Sequence, residues 1–358
     1  MGKTSTYYLH WIDQININFS DRVGKKSANL GELHGAGFQV PKGFALGLDI
    51  YEGFMKRTGA LEEINHYLTN VQARGINGSD FERHEEESRF LRGIVESKKW
   101  PADMEHLILQ YYEDLCKFTG KESVPVAVRS AGPLSRPGQY ETYLYARGRK
   151  EILQKIIKVF SSTFNIQSLL IREQAGLPRN YDPIGVAVTQ MVNAKAAGVI
   201  FTLNPINGDR SKIIIEGNWG LGESVVGGHV IPDEWEIDKV LLEIIRRKIS
   251  HKQIEYIVDH HSQEVILSGI PPEKQAAPCL TDPEILELAR LAKAIEKHFG
   301  RPQDIEWAID KDLSFPDNIF FVQTRPETAW NAKLLEPKLK TTGSPSLDVI
   351  NFYRNLKA

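Results

Sequence analysis

Two facing stretches carry the residue types best suited to chemistry. Asp304-Ile305-Glu306-Trp307-Ala308-Ile309-Asp310 and Phe320-Phe321-Val322-Gln323-Thr324-Arg325-Pro326 both alternate apolar and polar residues. Period two is the signature of half-buried strands. The spacer contains Phe315-Pro316-Asp317-Asn318, a turn signal, so the two stretches are expected to pair as a hairpin. Alternation then places Asp304, Glu306 and Ala308 on one face, and Gln323 and Arg325 on one face of the partner. If those faces coincide, two carboxylates, a carboxamide and a guanidinium share one patch. Carboxylate and amide oxygens suit Mg²⁺, and a planar guanidinium suits a phosphoryl group. A surface strand pair with an ordinary Glu–Arg bridge is the plain alternative.

Other stretches offer matching groups. Lys25 and Lys26 follow Gly24 in a loop that enters a short helix, closed by Gly35 or Gly37. Lysines at a helix start can meet phosphate oxygens, although the spacing is not that of a Walker A loop. Val124-Pro125-Val126-Ala127-Val128-Arg129-Ser130 is an apolar strand ending on a charge, which is where a cleft-facing arginine is expected. The loop after it, 131–143, has small residues and prolines whose backbone N–H groups can cover phosphates. Gly220-Leu221-Gly222 resembles part of a dinucleotide fingerprint, but the third glycine is misplaced and no parallel βαβ unit surrounds it. His260-His261 are adjacent on a strand pattern and so face opposite ways, which suits a hairpin tip better than a metal pair.

These residues need a frame of sheets. At 358 residues, with 41% apolar and 25% charged residues, the chain is expected to form about two lobes. The net charge of -2 gives no reason to expect nucleic acid or anionic membrane as a partner. Two cysteines without metal-type spacing, no apolar leader and no long apolar run read as a cytoplasmic, soluble chain. Residues 60–120 have helical periodicity, with the polar stretch 72–88 expected to loop outward. Residues 185–192, 197–202 and 212–216 read as consecutive strands of an antiparallel sheet, and Asp282 to Phe299 as an amphipathic helix. The expected class is α+β, with an N-terminal lobe at 1–182, a C-terminal lobe at 183–330 and a tail at 331–358.

Taken in order, the set resembles one family. Val23-Gly24-Lys25-Lys26 to Leu33, Val126 to Ser130, Gly138 to Thr142, Gly198 to Thr202, Glu216 with Trp219 to Glu223, Asp304 to Trp307 and Gln323 to Pro326 are similar to the nucleotide-binding module of phosphoenolpyruvate synthase and pyruvate, phosphate dikinase, also found in rifampicin phosphotransferase. The resemblance implies an ATP-grasp fold clasping ATP and Mg²⁺, with Mn²⁺ or K⁺ as further ions. It also implies dikinase chemistry, in which a histidine receives phosphate from ATP, AMP and phosphate leave, and the former β-phosphoryl group passes to an acceptor. By the same resemblance Lys26, Arg129 and Arg325 neutralise the transferring phosphates, and Glu306 and Gln323 hold the metal with Asp304 in support. Gln190, Met191 and Val192 meet adenine, Glu216 the ribose, and Gln139 and Thr202 complete the nucleotide set.

Lys25 stands where the family usually has a second glycine, and the segment between Ser130 and Gly138 is shorter and more basic than the family pattern. No histidine has the family's Thr-Ser-His-Ala-like surroundings. The expectation is therefore a separate phosphohistidine-carrying subunit, with further subunits besides, in an arrangement that resembles phenylphosphate synthase with phenol as acceptor. Another split phosphotransferase, or a nucleotide sensor on the same scaffold, are the competing readings.

Overall fold

The computed structural model describes residues 7–74, 80–133, 139–259, 262–328 and 330, with backbone only at 71–74 and 80–82. Two antiparallel sheets organise them. The first has the order β1-β2-β5-β3-β4, built from β1 (Leu9–Trp11), β2 (Gly43–Leu46), β3 (Val126–Ala131), β4 (Thr142–Ala146) and β5 (Gly185–Gln190). The second has the order β13-β12-β6-β7-β8-β9. It comprises β6 (Ala194–Phe201), β7 (Lys212–Trp219), β8 (Asp233–Asp238), β9 (Glu243–Lys248), β12 (Gln303–Asp310) and β13 (Ile319–Pro326). A separate ribbon pairs β10 (Ile254–Val258) with β11 (Val265–Gly269). The α+β class with antiparallel sheets is the one read from the sequence.

Each sheet buries one face on helices. Phe44, Leu46, Val126, Val128, Val186 and Val188 pack with Tyr51, Phe54 and Phe160 into one core. Ile305, Trp307, Ile309, Ile200, Ile213 and Ile215 pack into a second, against Ile285, Leu288, Ala292 and Ile295 of the helix Asp282–Phe299. That helix starts at a capping box between Thr281 and Glu284, and Gly300 ends it in a left-handed conformation. Alternation turns the remaining faces toward each other, so Ala127, Arg129 and Thr189 of the first sheet look toward Glu306 and Ala308 of the second.

Three sequence expectations change. Strand β5 was placed with the second lobe, but it lies between β2 and β3 in the first sheet because Val186 and Val188 complete the first core. The change of sheet falls in the link Met191–Asn193, so β5 and β6 are not neighbours, whereas β6 and β7 pair as expected. The polar stretch 72–88 does not loop outward as a whole. Residues 75–79 lie outside the described ones, helices Ala60–Arg74 and Asp80–Glu96 take up the rest, and their inward charges are paired: His84 Nε2 lies 2.6 Å from Glu173 Oε2 and Arg179 Nη2 2.5 Å from Glu87 Oε2. Lys25 and Lys26 belong to the first turn of the helix Lys25–Gly35, not to a loop before it. His260, His261 and the tail 331–358 lie outside the described residues. No helix among the described residues is long and apolar enough to cross a membrane.

The helix Lys25–Gly35 is wedged between the two sheets by contacts that admit no side chain. Gly24 has φ +79°, and a Cβ there would sit 1.8 Å from the Ala131 carbonyl oxygen. Lys25 N donates to Gly132 O at 3.0 Å, and buried Asn29 donates from Nδ2 to Thr324 O of β13 at 2.8 Å. The helix start is thereby fixed against the end of β3 on one side and β13 on the other.

A buried ion pair closes the far side of the second sheet. Lys252 Nζ and Asp233 Oδ1 are 2.6 Å apart, both side chains fully buried, and Lys252 also donates to Ser250 O and Ala277 O. Asp233 accepts from the backbone N–H groups of Ser250 and Cys279. Removing one partner strands a buried charge. Lys252→Met is expected to lower the stability by about 3–5 kcal/mol in chemical denaturation, and adding Asp233→Asn should recover part of that loss.

Candidate functional site

A cavity of about 650 Å³ opens between the facing sheets, a size that suits a small-molecule ligand. Its base is the β12–β13 hairpin. Glu306 stands opposite Gln323 and Asp304 opposite Arg325, with a register shift immediately after Glu306. Gln323 Nε2 donates to Glu306 Oε1 at 3.0 Å, and Arg325 Nε donates to Asp304 Oδ2 at 3.2 Å. From the opposite sheet, Arg129 Nη1 donates to Glu306 Oε2 at 3.1 Å and to Val322 O at 3.3 Å. Lys26 enters from the helix start, and its ammonium makes no hydrogen bond or ion pair with the described residues.

Besides Lys25, eight of the twelve residues to which the resemblance gives a role line the cavity: Lys26, Arg129, Arg325, Gln190, Met191, Val192, Glu306 and Gln323. Four do not. Asp304 sits behind Arg325 and orients it, its other oxygen Oδ1 buried without a partner. Thr202 is fully buried, and its hydroxyl accepts from Gln303 N at 2.8 Å, so it closes the ladder between β6 and β12. Glu216 shares the sheet face and row of Glu306, through Val199, but stands two strands away and faces Glu234. Burial raises its pKa, and the Glu234 charge adds to the rise. Gln139 is buried, and its carbonyl oxygen accepts from Asn165 Nδ2 at 2.7 Å, which ties the segment to the first lobe.

Glu223 lines the cavity and was passed over as a site residue. It opens the short helix Glu223–Val226 directly after Gly220-Leu221-Gly222. Gly220 has φ +72°, and a Cβ there would lie 2.4 Å from Tyr256 O, so the tight glycine turn is what aims Glu223 inward. A carboxylate right after such a turn was the available signal. Burial raises its pKa, with Arg129 opposing and Glu306 adding to the rise. Tyr140 and Thr142 also line the wall beside Arg129, and the sequence marked neither individually.

The charge balance suits an anionic ligand. Burial lowers the pKa of Lys26, and among the charges Glu306 opposes this while Arg129 and Arg325 add to it. Three cations converge where a lysine already releases its proton more readily than in water. A polyanion relieves that strain. The link between the sheets is constrained as well: Gln190 N donates to Lys42 O at 2.7 Å and Met191 N to Pro125 O at 2.9 Å.

Residues 20–344 match the family model of the pyruvate phosphate dikinase AMP/ATP-binding domain. The chain belongs to this family. It is 36% identical over 353 residues to a probable phosphoenolpyruvate synthase of Staphylothermus marinus, a match that covers 91% of this chain and 42% of that protein. It is 34% identical over 359 residues to the phosphoenolpyruvate synthase of Aeropyrum pernix, covering 92% and 43%. The match to a probable phosphoenolpyruvate synthase of Methanocaldococcus jannaschii is 34% over 342 residues, covering 94% and 28%. The chain spans less than half the length of these curated relatives.

A divalent cation fits the donor set of this ATP-binding domain. Glu306 and Gln323 place a carboxylate and a carboxamide side by side, and turning the amide about its last bond presents its oxygen. No three acidic, histidine or cysteine side chains cluster among the described residues, so these residues alone make no complete cage. Mg²⁺ commonly takes one or two protein oxygens and completes its shell with phosphate and water.

Lys26 gives a pH-dependent prediction. Nucleotide phosphates favour its charged form. ATP affinity should therefore be full below its lowered pKa and fall as pH rises through it. Lys26→Met should bind ATP about 1.5–3 kcal/mol more weakly near neutral pH and lose the alkaline decline, as read by titration calorimetry across that range.

Proposed function

We propose that this cavity binds ATP with a divalent cation and drives transfer of the β-phosphoryl group to a histidine nitrogen brought in from outside it. The observation that carries this reading is the convergence of Lys26, Arg129 and Arg325 on the Glu306–Gln323 pair. Adenine lies along the Gln190–Val192 link. There, Val192 N–H has no backbone partner among the described residues and suits a ring nitrogen. Glu223 is placed to accept a ribose hydroxyl. The carbohydrate-facing role expected of Glu216 is thus assigned to a carboxylate that lines the cavity.

Lys26 and Arg325 hold the polyphosphate, and Asp304 keeps the Arg325 plane oriented. Arg129 reaches the same place from the opposite sheet. A histidine nitrogen attacks the β-phosphorus, the bond from that phosphorus to the α-phosphate oxygen breaks, and AMP departs. Water then cleaves the γ-phosphoryl group as phosphate, leaving the former β-phosphoryl group on the histidine. Charge spreads over phosphoryl oxygens in such transfers, and fixed cations in a water-poor cleft stabilise it. The cation held by Glu306 and Gln323 supplies further charge neutralisation when bound.

No described histidine lines the cavity, which supports an acceptor histidine on another module or subunit. The final acceptor is chosen there too. The relatives' name suggests pyruvate, and the sequence resemblance to phenylphosphate synthase suggests phenol.

ATP labelled at the β-phosphorus, incubated with the chain and a phosphohistidine-carrying partner, is expected to put label on a partner histidine and release AMP. ADP as the sole product would reject the dikinase reading. A chase with pyruvate or phenol then identifies the acceptor by which one removes the label. Arg325→Ala should slow label transfer by ~10³-fold or more; a few-fold loss with weakened binding would instead indicate a nucleotide sensor.

A further inference from the structure

Arg129 and Glu306 have a second relationship that the phosphate-binding role does not require. Both oxygens of the Glu306 carboxylate accept from N–H donors, Oε1 from Gln323 and Oε2 from Arg129. Both side chains are largely shielded, at 17% and 22% exposure. Turning the Gln323 amide frees Oε1, but a divalent cation there would still meet the guanidinium held on Oε2 of the same carboxylate, in a shielded place where the two charges repel strongly. Arg129 is also held only lightly elsewhere. Its second contact through the same nitrogen is a long 3.3 Å bond to Val322 O, and its buried Nε has no partner. Glu223 provides a nearby carboxylate toward which the guanidinium is also attracted.

We propose that Arg129 is a placeholder for the divalent cation: guanidinium and cation are alternative occupants of Glu306, and loading of the cation releases Arg129 toward the phosphates. The proposal rests on the metal reading of Glu306 and Gln323 given above. It also explains why the two residues come from different sheets. Arg129 rides on β3, while Glu306 and Gln323 ride on the hairpin to which Asn29 ties the helix of Lys26. Exchange at Glu306 therefore changes an electrostatic contact between the two halves of the site. Until the exchange occurs, Arg129 Nη1 is committed to Glu306 and Val322, so cation and nucleotide should bind with positive coupling beyond their direct contact.

The test reads metal binding without turnover. Mn²⁺ is titrated into the nucleotide-free chain, and the unbound ion is measured by electron paramagnetic resonance. Arg129→Met is expected to tighten Mn²⁺ binding about tenfold or more by removing the competing charge. Arg129→Lys, which keeps a charge, should fall between the two and carries the test if the methionine variant does not fold by circular dichroism. Glu306→Gln should bind Mn²⁺ much more weakly than wild type. Equal Mn²⁺ affinity in wild type and the Arg129 variants, together with loss in Glu306→Gln, overturns the placeholder and leaves the metal reading intact. Unchanged binding in Glu306→Gln overturns the metal reading and the placeholder with it.

Discussion

The register of β12 against β13 is the constraint on which the site depends. Because Glu306 faces Gln323 and Asp304 faces Arg325, four polar side chains emerge as two adjacent rungs on one sheet face. A slip of one residue would send each of them into the core beneath and expose Ile305 and Trp307 instead. Trp307 is 1% exposed and Ile305 fully buried, so the apolar side of the hairpin enforces the polar side. Chemistry on one face is held in place by hydrophobic burial on the other.

The opposing sheet completes what the hairpin begins. Half-buried charges are costly when desolvated, and a single ion pair seldom offsets that cost. Here Arg129, Lys26 and Arg325 surround fewer compensating carboxylate contacts than their number demands, with Lys26 free of any ion pair among the described residues and Arg129 Nε unsatisfied. The two hydrophobic cores, one for each sheet, carry the stability that allows this imbalance. Such local frustration is what a binding site for a polyanion requires. Phosphates bound as proposed would satisfy groups that the protein leaves unsatisfied.

Much of this could be read from residue order. The hairpin was legible because period-two alternation fixes facing, and the turn signal fixes which strands pair. The helix Asp282–Phe299 was legible from its apolar stripe and its ends. Strand β5 was misplaced because its neighbours in sequence and its neighbours in the sheet differ: a short link normally joins paired strands, but here Met191–Asn193 crosses between sheets. The stretch 72–88 misled because charged residues were taken as solvated, whereas His84 and Glu87 are buried through partners 89 and 92 positions away.

The sequence by itself determined the chemical inventory, the strand alternation that aims Glu306, Gln323 and Arg325 together, and the family to which these motifs belong. Local pattern suffices for those, since facing within a strand depends on parity alone. Only the tertiary structure decided which of the candidates share a cavity. Thr202 and Glu216 sit in the same motifs as true lining residues, yet one closes a ladder and the other lies two strands off. Glu223 enters through a glycine turn whose direction is set by Tyr256 of a distant ribbon. Arg129 meets Glu306 across 177 positions. Such meetings arise from how two sheets pack, and packing is a property of the whole chain.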